Sequence, residues 1–205
     1  LMKKNKVDVI KGRGVIVDAG TVRVGQQQAS ATNIIIATGA RARSIPPLPV
    51  DGKTIITCRE ALELRDIPSR VAIVGGGAIG VEFATVYASY GSDVTIIEMM
   101  PRILPNEDVD ISQQLESTLS SRGMRLMTDA RVEGVSSGPN GAKLSVGTKD
   151  GQVEVEADIV LVAIGIQGNI EDIGLEEVGV TTERGFISVN DGMQTNVPGI
   201  YAIGD

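Results

Sequence analysis

The chain has 205 residues, with 19 Lys and Arg against 26 Asp and Glu, and a formal net charge of −7 at pH 7. Surfaces for nucleic acid or anionic membranes need clustered Lys and Arg, so this balance argues against both partners. The longest apolar runs, of about ten residues, suit a buried strand and are too short to cross a bilayer. One cysteine, Cys58, and no histidine leave no intrachain disulfide and no imidazole ligand, so we expect no metal site.

The first part of the chain reads as a β-meander followed by a buried strand. Regularly spaced glycines predict three or four short strands before residue 32, namely VDVIKG, GVIVDAG, TVRVG and QQASA. The apolar run NIIIATGA predicts a strand that is buried on both faces. Pro46, Pro47 and Pro49 exclude a helix or an inner strand, so we interpret this segment as an extended connection. A short helix, CREALELRD, follows.

Residues 71–98, VAIVGGGAIGVEFATVYASYGSDVTIIE, carry the densest signal. Gly75, Gly77 and Gly80 form G-x-G-x-x-G directly after the strand VAIV. The first glycine can take the tight turn, the second lets backbone N–H groups approach a pyrophosphate, and the third lets the helix pack close to the strand. At the helix N-terminus, Ala78 and Ile79 would offer free N–H groups to phosphates. The pattern predicts a dinucleotide site; the alternative is a glycine-rich turn without a ligand.

The helix and strand that follow the glycines complete the pattern. Ile79, Phe83, Val86 and Tyr90 predict one apolar helix face, and Gly91 ends the helix. Glu98 closes the second parallel strand at the spacing expected for the acid that accepts hydrogen bonds from the adenosine ribose. The alternative for this residue is a solvated carboxylate at a strand end.

Two further charged positions bear on the cofactor. No cation follows Glu98 until Arg102, so no arginine pair awaits a 2′-phosphate, and NAD is favoured over NADP. Glu82 lies in the first turns of the helix, where the sequence alone indicates a carboxylate favourably placed near a helix N-terminus.

The second half of the chain is again α/β. A helix should begin at Asn106 or Asp108 and end at Gly123. Its expected apolar face comprises Val109, Ile111, Leu115 and Leu119. The later strands are predicted as MRLMTDA, the meander RVEGVSS, AKLSVGT and QVEVEA, a second buried strand DIVLVAIGI, and the short runs GFISVN and GIYAIGD.

Three segments together, GGGAIGVEFATVYASYGSDVTIIE, NIIIATGARARSIP and TNVPGIYAIGD, resemble the pyridine nucleotide-disulfide oxidoreductases, and within them the dihydrolipoamide dehydrogenase branch. The resemblance implies an α/β fold. A Rossmann-like NAD-binding domain, with a parallel sheet and an antiparallel β-meander, would be flanked by partial FAD-binding domain segments. The expected limits are 1–45 for the first FAD segment, 46–69 for a connection, 70–167 for the NAD-binding domain and 168–205 for the return to the FAD-binding domain.

The same resemblance implies roles for individual residues. The NAD pyrophosphate would lie on the segment that holds Gly75, Gly77, Ala78, Ile79 and Gly80. Glu98 would hold the ribose, Glu82 would lie beside the nicotinamide, and Asp205 would bind the ribityl chain of FAD. Gly165 belongs to the expected cofactor site, although the IQGN that follows departs from the arginine and proline of many relatives.

In such enzymes electrons run from dihydrolipoamide, often carried by a lipoyl domain, through a redox disulfide and FAD to NAD⁺. The redox cysteine pair, the first glycine motif for FAD and the catalytic His-Glu pair are not among these residues. The resemblance therefore implies a central piece of a homodimeric enzyme of the cytoplasm or the mitochondrial matrix. Alone, this piece should contain no catalytic residue, retain no FAD and be inactive, yet bind NAD. The alternatives are a relative of NADH oxidase, mercuric reductase or transhydrogenase, and a stand-alone nucleotide-binding module.

Overall fold

A computed structural model describes all residues, 1–205. The chain divides into two compact units, one formed by Leu1–Arg41 with Gln167–Asp205 and the other by Ala42–Ile166. The domain limits expected from the family resemblance stay a prediction. No helix has the length and apolar character needed to cross a membrane.

The elements are seventeen strands, three α-helices and a 3₁₀ turn at Lys3–Asn5. In chain order they are β1 (Gly14–Asp18), β2 (Thr21–Val24), β3 (Gln27–Ser30), β4 (Ile34–Ile36), β5 (Ala40–Ala42), β6 (Ile55–Ile56), α1 (Cys58–Ala61), β7 (Arg70–Val74), α2 (Ala78–Ser89), β8 (Asp93–Ile97), α3 (Val109–Ser121), β9 (Arg125–Met127), β10 (Arg131–Gly138), β11 (Gly141–Thr148), β12 (Gly151–Ala157), β13 (Ile159–Val162), β14 (Ile166–Gly168), β15 (Thr182–Glu183), β16 (Phe186–Ile187) and β17 (Ile200–Ala202).

The unit Ala42–Ile166 is built on a five-stranded sheet in the order β6-β13-β7-β8-β9. Every neighbouring pair in it is parallel. Strand β7 is apolar throughout residues 71–74 because both faces of the sheet are covered. Val71 and Ile73 pack in the cluster that includes α2 and α3, whereas Ala72 and Val74 pack in the cluster that includes the meander β10-β11-β12. Because its side chains alternate between the two faces of the sheet, β7 contributes to both hydrophobic cores.

The starts of β7 and β13 are joined by charged groups as well as by the ladder. Arg70 N–H donates to Asp158 Oδ2 at 2.8 Å, and Arg70 Nη2 lies 2.8 Å from Asp158 Oδ1. The hydrogen bond from the guanidinium lowers the pKa of Asp158 below its usual value. These two residues are 88 positions apart in sequence.

The other unit contains the antiparallel meander β1-β2-β3, the hairpin β15-β16 and the parallel pair β4-β17. The prediction of a strand at VDVIKG is wrong, since residues 7–12 form no strand. The expected burial of both faces of β4 is also wrong. Ile34 and Ile36 are buried in the core of this unit, but Ile35 is 62% exposed.

The predicted apolar faces of α2 and α3 differ from the buried ones. In α2, Ile79 and Phe83 pack partly against the core, as expected. Val86 and Tyr90 are 47% and 67% exposed, so their assignment to the core face is wrong. The buried stripe also includes Gly80, Ala84 and Tyr87. The small side chains of this stripe let the helix lie close to the sheet. A prediction based on large apolar residues does not detect them.

In α3, Leu119 is buried as expected and Leu115 packs partly against the same core. Val109 and Ile111 are 47% and 56% exposed, so their assignment to the core face is wrong. The fully buried Ser112 takes the inward position in the first turns, where its hydroxyl donates to Leu104 O at 3.2 Å.

The buried stripe of α2 can be tested by enlarging one of its members. Ala84 is fully buried, so Ala84→Leu should overpack the helix–sheet interface and lower the free energy of unfolding by about 1–3 kcal/mol. The matched change on the exposed stripe, Val86→Leu, should stay within about 0.5 kcal/mol of the parent. Urea denaturation of the three proteins measures both. A larger loss from Val86→Leu than from Ala84→Leu would show that the helix is rotated.

Candidate nucleotide-binding site

The predicted nucleotide residues of unit Ala42–Ile166 gather at one edge of its sheet. Because β7, β8 and β13 are parallel neighbours, their carboxyl ends meet at the same edge. Gly75 follows β7, Glu98 follows β8, and Gly165 lies three residues after β13. In open parallel sheets this edge is where ligands bind.

The glycine-rich turn is packed too closely for any side chain at two of its positions. Gly75 has φ +111°, and a Cβ there would overlap the carbonyl group of Ala163 at the end of β13. A Cβ at Gly80 would overlap the carbonyl oxygen of Gly75. The turn is therefore held between β13 and α2; the close approach of α2 was predicted from the spacing of the glycines, whereas the contact with the end of β13 was not.

Gly77 plays a different part in the same turn. It is the N-cap residue of α2, no side chain caps the helix, and no acidic residue lies in the first turn. A Cβ at Gly77 would meet no atom within 4 Å, and the next residue, Ala78, is exposed. Ile79 is partly buried. The first N–H groups of α2 lack intrahelical partners and no side chain caps them, so they are donors that an anion could accept.

Glu98 is a buried carboxylate and not a solvated strand end, because it is only 7% exposed. Its Oε2 accepts the N–H of Gly76 at 2.6 Å, and its Oε1 accepts the N–H of Met100 at 2.8 Å. Each carboxylate oxygen has a second lone-pair direction, so the group can accept further hydrogen bonds from a ligand. Glu98 therefore joins the glycine-rich turn to the end of β8.

Sequence reasoning missed the loop of residues 99–107 that supports the turn. Ile103 is fully buried, and Leu104, with φ +44°, donates its N–H to Gly76 O at 2.8 Å. No repeating pattern in the sequence predicts these contacts. The only signal for them is Gly76 itself, because the absence of a side chain there lets Ile103 approach. Arg102 directs Nη2 to Pro105 O at 2.9 Å, within its own loop.

Two other predicted residues of this unit lie near the same elements without joining the turn. Glu82 is exposed in the second turn of α2, and its carboxylate forms no hydrogen bond or ion pair. Gly165 has φ +108°, is exposed, and accepts the N–H of Arg43 at 3.0 Å. Their roles towards a cofactor stay predictions.

In the other unit, Asp205 lines a cavity of about 150 Å³. The pairing of β4 with β17 brings the ATG segment, with Thr38 and Gly39, to the same cavity as the AIGD segment. Ligand pockets usually measure about 300–1,000 Å³, so this cavity alone would enclose only part of a ligand as large as FAD.

A charged cluster of this unit fixes the segment beside that cavity. Arg41 Nη2 lies 2.6 Å from Glu171 Oε1, and this hydrogen bond lowers the pKa of Glu171 to about 2. The Asn169 amide donates to Thr38 O at 3.0 Å. Nowhere does the structure group three His, Cys, Asp or Glu side chains in a way that could hold a metal ion.

The two hydrogen bonds of Glu98 predict a stability effect. Glu98→Gln keeps one acceptor oxygen but turns an NH₂ group towards the second backbone N–H, which leaves a buried donor without a partner. We expect a loss of about 1–3 kcal/mol in the free energy of unfolding, measured by urea denaturation. Glu107→Gln, at an exposed carboxylate, is the control and should leave stability unchanged. Equal stability of the two variants would show that these two hydrogen bonds do not stabilise the fold.

Known proteins are similar to this chain along its full length. The profile of the pyridine nucleotide-disulphide oxidoreductases matches residues 1–205. A dihydrolipoyl dehydrogenase of Rhizobium etli is 42% identical over 225 residues, covering 100% of this chain and 47% of that enzyme. One from Bacillus subtilis is also 42% identical, with 100% and 46% covered. The chain thus spans about half the length of the curated relatives that it matches.

Solved structures give the same result. LpdA from Mycobacterium tuberculosis superposes with a TM-score of 0.86 at 32% identity, covering 100% of this chain and 46% of that one. The HOCl-induced flavoprotein disulfide reductase RclA from Escherichia coli gives a TM-score of 0.82 at 32% identity, covering 97% of this chain and 46% of that one. With its glycine-rich turn, its buried acid and matches along its full length, the chain belongs to the pyridine nucleotide-disulphide oxidoreductase family.

Proposed function

We propose that the glycine-rich turn and Glu98 bind NAD(H). The observation that supports this most strongly is the buried Glu98 carboxylate at the sheet edge. It accepts a hydrogen bond from the Gly76 N–H and has lone pairs left to accept hydrogen bonds from a ligand. In the proposal, the pyrophosphate lies on the first N–H groups of α2 and the adenosine ribose donates its hydroxyls to Glu98.

The residues present fit such a cofactor. The open space at Gly77 would be filled by any side chain, the helix N-terminus has no competing acid, and Ala78 is exposed. When bound, the nicotinamide would accept or deliver a hydride. The chain's own part is to bind the two phosphates and the ribose, while Glu82 and Gly165 are proposed to lie towards the nicotinamide end.

We further propose that the longer enzyme is a dihydrolipoyl dehydrogenase. Its substrate would be protein-bound dihydrolipoamide, its second cofactor FAD, and its assembly a homodimer. The 42% identity to enzymes of that name along the whole chain supports this assignment. Asp205 would belong to the FAD site, as its place beside Thr38 and Gly39 suggests. The likeness to RclA favours a second candidate, another flavoprotein disulfide reductase that uses the same nucleotide site.

The pyrophosphate position is tested at Gly77. Gly77→Val puts a branched side chain into the open space, and the φ of −74° at this residue suits any amino acid, so the fold should persist. NADH binding, measured by titration calorimetry, should be lost. The control Gly134→Val makes the same change in the distant meander, where a Cβ also meets nothing within 4 Å. If the Gly77 variant binds NADH as the parent does, the pyrophosphate lies elsewhere.

The choice between NAD and NADP is tested at Glu98. In NADPH the 2′-phosphate would lie beside the Glu98 carboxylate. Two like charges about 4 Å apart repel by roughly 4 kcal/mol at an effective dielectric of 20, and screening by salt should reduce this repulsion to about 2 kcal/mol. The parent should therefore bind NADH about thirtyfold more tightly than NADPH. Glu98→Gln removes the charge and should reduce that ratio. The measurement is a set of dissociation constants for both nucleotides at one ionic strength, and equal affinities in the parent would refute the assignment.

A further inference from the structure

Glu116 lies on α3, an element that contributes no residue to the predicted nucleotide site. Its side chain is half-buried and points back to the 99–107 loop, where Oε1 accepts the N–H of Ile103 at 3.0 Å. A hydrogen bond from a neutral amide to a carboxylate is stronger than one between neutral groups. The loop is thereby fixed to the middle of α3.

Ile103 and Leu104 pass this constraint to the glycine-rich turn. Ile103 is fully buried, and a Cβ at Gly76 would lie only 2.9 Å from Ile103 Cγ2, so the two residues are in close contact. Leu104 donates its N–H to Gly76 O at 2.8 Å while it holds a left-handed backbone with φ +44°. Such a conformation persists in a leucine only where neighbouring contacts stabilise it.

The carbonyl group of Gly76 sets the direction of the next amide. In a trans peptide the C=O and the following N–H point in opposite directions, so a carbonyl fixed towards Leu104 turns the Gly77 N–H away from that loop. Gly76 is thus held at both ends, its N–H by Glu98 and its C=O by Leu104. Only the second of these holds determines the orientation of the Gly77 amide.

We infer that Glu116 is a positioning residue of the nucleotide site, which acts through Ile103 and Leu104 to hold the Gly77 N–H in the direction that the pyrophosphate requires. The inference rests on the proposed NAD(H) function and adds a residue that touches no cofactor. Removal of the carboxylate should let the 99–107 loop and the Gly76–Gly77 peptide reorient, and the dinucleotide would then have to order them on binding.

The test uses the 205-residue chain with Glu116→Ala, Glu116→Gln and the control Glu63→Ala. Loss of the acceptor in Glu116→Ala should weaken NADH binding about tenfold, as judged from the strength of a hydrogen bond to a charged group. Glu116→Gln keeps an acceptor oxygen and should stay within about twofold of the parent. Glu63→Ala removes an exposed carboxylate outside the 99–107 loop and should bind as the parent does. Calorimetry well below the thermal midpoint of each variant measures these affinities.

A second measurement separates positioning from simple stability. In ¹⁵N–¹H spectra without nucleotide, the Gly77 amide should shift in Glu116→Ala and return towards its parental position in Glu116→Gln. A lower thermal midpoint in Glu116→Ala with parental NADH affinity and an unmoved Gly77 amide would overturn the inference and leave the proposed function standing. If the parent fails to bind NADH, the proposed function fails, and the Gly77 amide shift still decides whether Glu116 orients the turn.

Discussion

The hydrogen bond of 2.6 Å between Glu98 Oε2 and the Gly76 amide is the contact on which the site depends. It joins the ends of two parallel strands, β7 and β8, through the turn that begins α2. A buried amide without a partner would cost about 1–3 kcal/mol, so the carboxylate stabilises the turn whether or not a nucleotide is present. Glu98, which its spacing in sequence predicts as a ligand-binding residue, is thus also a structural part of the turn. Substitutions at Glu98 consequently combine a folding effect with a binding effect, and stability must be measured beside affinity.

The absence of side chains is the second constraint on this region. Gly80 lies against the Gly75 carbonyl group and Gly75 against Ala163, so helix, turn and two strands approach as closely as backbone allows. Ala84 continues the same stripe of small residues along α2. Close approach of the helix leaves its flank, with Val86 and Tyr90, outside the core. The position of the helix N-terminus over the sheet edge follows from this close packing, to which the buried side chains of Val81 and Tyr87 add apolar contacts.

The strand, turn, helix, strand and acid could be read from the sequence because each has a local signature. Gly75, Gly77 and Gly80 mark the turn by spacing, and Glu98 marks the end of β8 after an apolar run. The buried face of α2 could not be read in this way, since glycine and alanine give little hydrophobic signal while Val86 and Tyr90 give a strong one. The role of Leu104 could not be predicted either, because its hydrogen bonds join it to Gly76 and Ser112, neither of which is its neighbour in sequence. Contacts between residues that are distant in sequence and follow no repeating pattern are visible only in the structure.

The central place of β13 in the sheet has a consequence for how the chain acquires its structure. This strand lies between β6 and β7, yet it is the last of the five to be synthesised, after α3 and the whole meander. Until it arrives, β7 has one unpaired edge made of valine, alanine and isoleucine, which is a hazard for pairing with another chain. Pairings across 88 residues, such as that of Arg70 with Asp158, also make closure of the sheet a late and slow event. A chain that ends within the meander β10-β11-β12 lacks β13 and should therefore expose the aggregation-prone edge of β7. Removal of the same number of residues from an exposed loop would leave this edge paired.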